Sequence, residues 1–289
     1  VDRRQRQMCI RDSFTIQPPL PGSGHPVEQG DRLFFRYRAG ESLEFGLTLY
    51  ARAMQLFPYV VLAVSEFERG GLGRRMQQAD GRWRRGRLAV REVWAENPLT
   101  DERQPVLRSS DRLIQLPDLP ITHQQIGEWA SGRISESVKG QIAIHFLTPT
   151  RLIERGHLLK PETFRFQPFF QRLMERLEAL TRHFSDTPLV FDDPRGLIAA
   201  AGQVRVIENC LRWEEVRSYS TRRHAESPIG GLVGWVTLTA PDWSPFLPCL
   251  LWGQLTHVGK DAVKGNGWYR VGEGAKERGE VRRRDGDDV

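Results

Sequence analysis

The sequence predicts an α+β protein built from two ferredoxin-like βαββαβ domains in tandem, with the first domain incomplete. Residues 141–272 read as strand, helix, strand, strand, helix, strand, which is the element order of a ferredoxin-like domain. An earlier stretch, residues 56–94, repeats part of that order as apolar helix, basic glycine loop and strand. Because residues 1–30 are charged or rich in Pro and Gly, we expect the first domain to lack its opening strand and helix.

We divide the chain into five segments by composition and pattern. Residues 1–13 look like translated sequencing-adapter sequence, so we expect them to be non-native and the true N-terminus to be missing. The remaining segments are a partial N-terminal ferredoxin-like domain at 14–95, a connector at 96–140, the C-terminal domain at 141–272, and a charged tail at 273–289.

The composition excludes several classes of protein. Of 289 residues, 39% are hydrophobic, with eight Trp and fourteen Phe, so the chain can form packed cores and is not wholly disordered. No apolar run reaches the roughly 18 residues of a membrane-spanning helix, so we expect no membrane partner. Three cysteines without CxxC spacing are typical of reduced thiols in a cytoplasmic protein. The net charge of +6 is too modest to indicate nucleic acid by itself.

The first domain contains short strands and one apolar helix. Residues 32–38 and 43–49 are rich in aromatic and branched side chains and predict strands. A helix is predicted over 57–68, with Pro58 tolerated in its first turn. Residues at helical spacing form its predicted buried face: Leu56, Tyr59, Val60, Ala63, Val64 and Phe67. A basic glycine loop at 70–75 and a strand at 87–94 follow.

The second domain has clearer periodicity. Strands are predicted at 141–148, 211–220, 231–239 and 268–271. A helix begins near Pro168, and a second begins at Ser244 and Pro245, a good N-cap followed by Pro at the first helical position. The first of these helices has an apolar face at a spacing of three and four residues: Phe169, Phe170, Leu173, Leu177, Leu180 and Phe184.

The loop at 257–269, HVGKDAVKGNGWY, is the strongest candidate site. Its glycines and Asn266 permit positive φ and can expose backbone N–H groups, while Lys260 and Lys264 add positive charge. Such a loop suits a polyanion. A plain helix-to-strand turn with solvated lysines is the alternative, and the residues alone leave both open. No phosphate loop, GxGxxG or HExxH motif is present, and we expect neither a metal nor an organic cofactor.

Two arginine-rich stretches are further candidates. In the stretch 213–224, Arg217, Tyr219 and Arg223 alternate onto one strand face and Arg222 onto the other. Arginine can bind phosphate, and both arginine and tyrosine can stack on bases. A charged edge strand is the alternative. The stretch 82–87 surrounds Trp83 with four arginines, which favours single-stranded nucleic acid, although a solvated hairpin has the same pattern.

Histidine is the natural general base near neutral pH. His257 adjoins the glycine loop and is the best placed, although a single histidine is more often structural than catalytic. His145 lies on a predicted strand, opposite the face of its apolar neighbours, and His25 has no chemical company in the sequence.

Four motifs across 141–271 resemble a known family. They are IAIHFLTPTRL at 142–152, WEEVRSYSTRR at 213–223, GGLVGWV at 230–236 and the glycine loop at 257–269. Together they resemble the CRISPR repeat-cleaving endoribonucleases of the repeat-associated mysterious protein (RAMP) superfamily, the Cas-six family. The last motif is similar to the glycine-rich signature of that family. The stretch 45–73 resembles the region upstream more weakly.

The resemblance implies tandem ferredoxin-like domains and a CRISPR repeat RNA as partner, together with other CRISPR effector-complex proteins. It also implies metal-free cleavage, in which a ribose 2′-OH attacks the adjacent phosphate and leaves a 2′,3′-cyclic phosphate. By the resemblance we assign RNA contacts to nine residues: Gly259, Lys260, Lys264, Gly265, Asn266, Gly267, Arg217, Arg222 and Arg223.

One departure from the family affects the catalytic assignment. Many members carry their general-base histidine in the first domain, near its first helix, but this chain has no histidine between His25 and His123. We therefore expect that the catalytic histidine is missing, and His257 is a fallback candidate. Two alternatives remain open, a non-catalytic RNA-binding subunit of a CRISPR effector complex and a generic ferredoxin-like interaction module.

Overall fold

The computed structural model describes residues 13–20, 24–29, 32–108, 114–136, 140–220 and 225–273. The predicted non-native segment, apart from its last residue, and the predicted tail after residue 273 lie outside the described residues, as do Arg222 and Arg223. The chain forms two compact units, one comprising residues 1–51 with 130–289 and the other residues 52–129.

The N-terminal residues form four short strands, β1 (Phe14–Gln17), β2 (His25–Gln29), β3 (Arg32–Arg36) and β4 (Gly46–Leu49). β1 pairs antiparallel with β4, and β2 pairs antiparallel with β3. The expectation that residues 1–30 hold no strand is therefore wrong. The flanking prolines and glycines conceal β1, whose Thr15 is fully buried and donates a hydrogen bond to the carbonyl of Leu255 at 3.2 Å.

The second unit contains a helix and two hairpins. A 3₁₀ helix (Ala51–Leu56) leads into α1 (Phe57–Gly70), which has Pro58 in its first turn as predicted. Hairpin strands β5 (Leu72–Gln77) and β6 (Trp83–Gly86) follow, then β7 (Glu92–Asn97) and β8 (Glu102–Arg108). Helix α2 (His123–Glu136) spans the division between the units. The predicted domain boundary at residue 95 falls inside β7.

Three local predictions for this unit are wrong. The loop expected at 70–75 becomes strand from Leu72 onward. The strand expected at 87–94 begins only at Glu92, and before it the amide of Val90 donates to Glu68 Oε1 at 2.7 Å rather than to a strand. The buried residues of α1 are Phe57 and Val61, whereas Tyr59 is 69% exposed. Residues 57–64 are apolar almost throughout, so periodicity could not select the buried face.

The C-terminal sheet confirms the predicted element order. Its strands are β9 (Gln141–Thr150), β12 (Arg205–Glu214), β15 (Gly231–Thr239) and β16 (Tyr269–Glu273), and its covering helices are α3 (Phe166–Phe184) and α5 (Leu247–Thr256). The strands lie in the order β12-β15-β9-β16, with every neighbouring pair antiparallel. The first and third strands of the βαββαβ order thus lie at the centre of the sheet, as in a ferredoxin-like domain.

Smaller elements decorate this sheet. They are β10 (Ile153–Glu154) with β11 (His157–Leu158), a 3₁₀ helix (Pro161–Thr163), α4 (Pro194–Ala201), β13 (Arg217–Ser220) with β14 (Ala225–Pro228), and a 3₁₀ helix (Ala262–Lys264). Helix α4 was not predicted from the sequence, although Asp193 caps it by accepting a hydrogen bond from the Gly196 amide at 2.8 Å. The start of β12 was predicted too late. β12 is an edge strand without a buried residue, so the alternation of apolar and polar side chains along it is weak. Ser244 does not cap α5 and instead bonds Asp242.

The core of the C-terminal unit lies between α3, α5 and the sheet. All six residues of the predicted apolar face of α3 are buried. Aromatic rings pack edge to face across this layer, for example Phe170 on Phe246 with ring centroids 5.0 Å apart. Tyr269 is fully buried and donates from its hydroxyl to the carbonyl of Leu250 at 2.8 Å. Gly253 makes room for it, since a Cβ there would lie 2.0 Å from that hydroxyl. β16 is therefore held firmly against α5.

Candidate nucleic-acid interface

The glycine loop joins α5 to β16, and its backbone requires its glycines. Gly259, Gly265 and Gly267 have φ of 86°, 97° and 75°, in the left-handed region that other residues rarely adopt. A Cβ at Gly267 would lie 1.8 Å from the carbonyl oxygen of Val258, and one at Gly259 would lie 2.6 Å from that of Arg151. The glycines therefore let the loop fold closely against itself and against the end of β9.

The amide groups of the loop are largely used inside the protein. The amide of Val258 donates to the carbonyl of Gly267 at 3.0 Å, that of Lys260 to Arg151 at 3.0 Å, and that of Gly267 to Pro149 at 3.1 Å. Further loop amides have acceptors as well: His257, Lys264, Gly265, Asn266 and Trp268. The expectation that glycines expose N–H groups to a polyanion is wrong for these amides. Contact with a ligand falls mainly to side chains.

His257 lies inside the loop rather than at its surface. Its side chain is fully buried, its ring stacks on Trp268 with centroids 6.1 Å apart, and Nδ1 lies 3.2 Å from the carbonyl of Asn266. That carbonyl can only accept, so the proton belongs on Nδ1. Burial lowers the pKa of His257 to about 3; the carbonyl contact opposes this shift and the charge of Arg176 adds to it. The ring is held neutral and shielded, which is unfavourable for a general base.

Two other predicted residues also have internal partners. Asn266 is buried, and its side-chain amide donates to the carbonyl of Ile229 at 2.7 Å. Lys264 places Nζ 2.7 Å from Asp261, with half of its side chain exposed. Asn266 thus fixes the loop to the segment before β15, and Lys264 is partly neutralised.

A groove of about 450 Å³ opens beside the loop. One wall is formed by α3 and the other by the loop and the turn after β9. Its lining combines apolar carbon with positive charge: Arg151, Ile153, Arg172, Glu175, Arg176, Ala179, Leu180, His183, Phe184, Gly259 and Lys260. Glu175 is the one carboxylate in this lining, and it is paired with Arg172 at 2.5 Å. The groove is therefore cationic.

The cations of the groove are fixed to different degrees. Arg176 donates from Nε to the carbonyl of Thr256 at 2.7 Å, while its Nη2 is buried with no hydrogen-bond partner in the described part of the chain. Arg151 donates from Nη1 to the carbonyl of Gly230 at 3.1 Å. Lys260 is exposed at the rim. The groove thus offers two anchored guanidinium groups and one exposed ammonium group.

The predicted arginine-rich strand is only partly described. Arg217 lies on β13, and its Nη1 is 3.6 Å from Glu226 of β14, so the hairpin supplies it with an acidic neighbour. Arg222 and Arg223 lie outside the described residues, and their RNA contacts stay predictions. His145 is on the expected face of β9, stacked near Trp235 with ring centroids 6.3 Å apart.

Sequence reasoning missed the partner of His25. His25 Nε2 lies 2.6 Å from Glu41 Oε1, and the imidazole side chain is 48% exposed. The amide of Arg38 donates to the second oxygen of Glu41 at 2.6 Å, and this bond with that of His25 lowers the pKa of Glu41. A carboxylate that holds an exposed imidazole is the arrangement that orients a general base. The two residues are sixteen positions apart on separate segments, and no local sequence signal joins them.

Among the described residues, no group of three or more His, Cys, Asp or Glu is placed to hold a metal ion, and no helix is long and apolar enough to cross a membrane. Cys249 is buried, and burial raises the pKa of its thiol to about 12, so it is a poor nucleophile.

The four motifs fall almost entirely within one match to a known family. The family model of the CRISPR-associated endoribonuclease Cas6 matches residues 144–269, which contain the sheet centre, α3, α5 and the glycine loop. These residues, fewer than half of the 289 in the chain, carry its similarity to Cas6. A second family model, described as the N-terminal domain AF_1859_N, matches residues 4–119. No curated protein matches.

Solved structures share the fold of this chain. The product complex of Cas6 (TTHB231) from Thermus thermophilus is 17% identical, with a TM-score of 0.51 over 93% of this chain and 85% of that one. A partial Cas6-RT-Cas1–Cas2 complex is 15% identical, with a TM-score of 0.55 over 92% of this chain and 40% of the longer one. The predicted fold class, α+β with tandem ferredoxin-like domains, is confirmed.

The buried His257 predicts that the folded protein is sensitive to acid. Its pKa in the folded protein is about 3, whereas an unfolded histidine has a pKa of about 6.5. Between these two pKa values the unfolded chain binds more protons than the folded protein. The stabilisation that is present above a pH of about 6.5 is therefore lost as the pH falls. From this group we expect a loss of about 3 kcal/mol between pH 7 and pH 4, measured by urea unfolding at both values.

The comparison uses His257→Asn and, as matched control, His157→Asn at an exposed histidine. The first variant should lose less stability between pH 7 and pH 4 than the parent, and the second should match the parent. An NMR titration of the His257 ring in the parent provides an independent measurement. A ring that titrates above pH 6 in the native protein would contradict the expectation.

Proposed function

We propose that this chain binds CRISPR precursor RNA and cleaves it within each repeat, without a metal ion. The proposal is supported by the match to the Cas6 endoribonuclease family and by the cationic groove beside the glycine loop. By its description, one structure of similar fold is a Cas6 product complex, and another contains Cas1 and Cas2. We extend to this chain an RNA substrate, other CRISPR proteins as partners and a cytoplasmic place of action.

The proposed reaction is an internal phosphoryl transfer. A general base removes the proton of a ribose 2′-OH, and the resulting oxygen attacks the adjacent phosphorus. The bond from phosphorus to the 5′-oxygen breaks, and that oxygen takes up a proton, leaving a 5′-OH. The other product ends in a 2′,3′-cyclic phosphate. Positive side chains stabilise the charge that develops on the phosphate oxygens, so arginine and lysine are the groups that this step needs.

The groove is the observation that best supports the proposal of RNA binding. A buried guanidinium nitrogen without an acceptor, such as Nη2 of Arg176, costs about 1–3 kcal/mol. A phosphate seated against Arg176 would offset that cost, because its oxygens are strong acceptors. Lys260 at the rim can reach a second phosphate without disturbing the packing. Among the loop residues assigned to RNA, we therefore place the main contact at Lys260, with Gly259 beside it in the groove lining.

His25 fits the role of general base better than His257. A base must reach the 2′-OH in its neutral form, and the burial of His257 prevents that in the arrangement seen here. His25 is half exposed and is oriented by Glu41. It is also the one histidine in the segment 14–95, which corresponds to the domain where many family members carry theirs. The second candidate function is that of a non-catalytic RNA-binding subunit. The burial of His257 favours this function if His25 has no catalytic role.

Cleavage in the absence of metal is the first test. The protein is incubated with a repeat RNA in excess EDTA, and the ends of the products are analysed by mass spectrometry. We expect a single cut in the repeat with cyclic phosphate and 5′-OH ends. Tight RNA binding without any cut would support the non-catalytic subunit instead. Cleavage only after Mg²⁺ is added would contradict the proposed mechanism.

The second test compares the two histidines under single-turnover conditions. His25→Ala should lower the cleavage rate by about 100-fold or more, the typical contribution of a general base. His157→Ala is the control, because His157 is also exposed and lies in the same unit. An unchanged rate for His25→Ala, with a large loss for His257→Ala at unchanged thermal stability, would reassign the base to His257.

The third test concerns the groove. Lys260→Gln should weaken RNA binding about tenfold, which corresponds to one lost charge-assisted contact. Arg195→Gln removes an equal charge from an exposed position on α4 outside the groove lining, and it should bind as the parent does. Affinities are measured by fluorescence anisotropy at two salt concentrations. Equal losses in both variants would mean that only total charge matters, which would remove the groove from the site.

A further inference from the structure

The positive charge of the chain is concentrated in one hairpin of the second unit. Residues 72–87, which include β5 and β6, contain six arginines and one aspartate and carry a net charge of +5. The whole chain of 289 residues carries only +6. Neither the groove nor the glycine loop lies in this stretch, so the function proposed above leaves this charge unexplained.

The hairpin is a narrow two-stranded ribbon that exposes its side chains. β5 and β6 pair antiparallel, with Gln77 opposite Trp83, and every residue of β6 is exposed. The turn is closed by the amide of Gln78 donating to the carbonyl of Arg82 at 2.9 Å. Asp80 is paired with Arg84 at 3.0 Å. Within the described ranges no carboxylate pairs with the other described arginine side chains of the stretch, those of Arg75, Arg82, Arg85 and Arg87.

Trp83 stands exposed among these charges. It is 62% exposed, which is unusual for the largest apolar side chain. Side chains alternate between the two faces of a strand, so Trp83 and Arg85 share one face of the ribbon, and Gln77 is paired with Trp83 on the other strand. An exposed indole flanked by guanidinium groups is a surface on which a nucleic-acid base can stack while its phosphates meet the arginines.

The neighbouring hairpin provides an internal contrast. Residues 92–108, which form β7 and β8, contain four carboxylates and two arginines, a net charge of −2. Trp94 in β7 is 39% exposed, but its indole nitrogen donates to Glu92 at 2.8 Å and Arg108 lies 5.5 Å above its ring. The ring of Trp94 is therefore partly covered by its own neighbours. The exposure of Trp83 is therefore not a general property of hairpins in this unit.

We propose that the hairpin 72–86, together with Arg87, binds a single-stranded segment of RNA, with Trp83 stacked on one base and the arginines on the flanking phosphates. The inference rests on the proposed function, since the RNA is taken to be unpaired sequence flanking the repeat. A single strand fits better than a duplex, because duplex bases are already stacked on each other and present no free face to Trp83. Stacking and phosphate contacts tolerate any sequence, so the hairpin reads strandedness rather than base identity.

The experiment uses the full chain and two RNAs, a repeat with single-stranded flanks and the same repeat trimmed of them. Trp83→Ala should weaken binding of the flanked RNA by about 5- to 150-fold, the range for loss of one base stack, and should leave the trimmed RNA unaffected. Trp83→Phe should restore most of the affinity. The plot of log affinity against log salt has a negative slope. The double variant Arg82→Gln with Arg87→Gln should make this slope shallower by about 1.4.

Two controls separate stacking from charge and from folding. Trp94→Ala removes the partly covered indole of the acidic hairpin and should leave RNA affinity unchanged. Inorganic polyphosphate is an anion without bases, so Trp83→Ala should not alter its binding, whereas the double arginine variant should weaken it. Thermal unfolding checks that each variant is folded. An equal loss of polyphosphate and RNA binding in Trp83→Ala would overturn the stacking proposal.

The outcome can be separated from that of the nuclease proposal. If the parent protein cleaves repeats but Trp83→Ala binds the flanked RNA within twofold of the parent, the hairpin proposal is overturned and the nuclease proposal stands. If the parent does not cleave, yet Trp83→Ala loses affinity only for the flanked RNA, the hairpin proposal is supported and the nuclease proposal fails.

Discussion

The closure of the glycine loop against the end of β9 is the constraint on which the candidate site depends. Backbone hydrogen bonds make this closure, among them those from the amide of Lys260 to Arg151 and from the amide of Gly267 to Pro149. They bring the loop beside the turn after β9 and so form one wall of the groove. The opposite wall, α3, is fixed independently by its buried aromatic face. The position of Lys260 relative to Arg176 follows from both.

Sequence periodicity was sufficient where one face of an element is buried and the other is polar. Helix α3 is the clearest case, because Phe169, Leu173 and Leu177 alternate with charged residues and all three are buried. Periodicity failed for α1, where apolar residues occupy almost every position of the first two turns and tertiary packing alone selects Phe57 and Val61. It also failed for β1, which is short and lies among prolines.

The residues of the candidate site were predictable from the sequence, but the roles of those residues were not. The sequence located the glycine loop, and the structure shows that most of its amides bind within the protein rather than facing solvent. That difference depends on hydrogen bonds to β9, more than a hundred residues earlier, which no local pattern encodes. The pairing of His25 with Glu41 was likewise invisible, because it arises from tertiary placement of two short segments. The features of the site that were not predicted depend on long-range contacts rather than on residue types.

The steric demands of the glycine loop have a consequence for how such signatures are interpreted. Gly259 and Gly267 are required because a Cβ would collide with backbone atoms, and Asn266 because its amide ties down the loop. These requirements would persist in a descendant that had lost all chemistry, provided that it kept the fold. The glycine signature is therefore a marker of architecture. Evidence of activity has to be sought in residues that folding does not need, such as an exposed histidine or an unburied lysine.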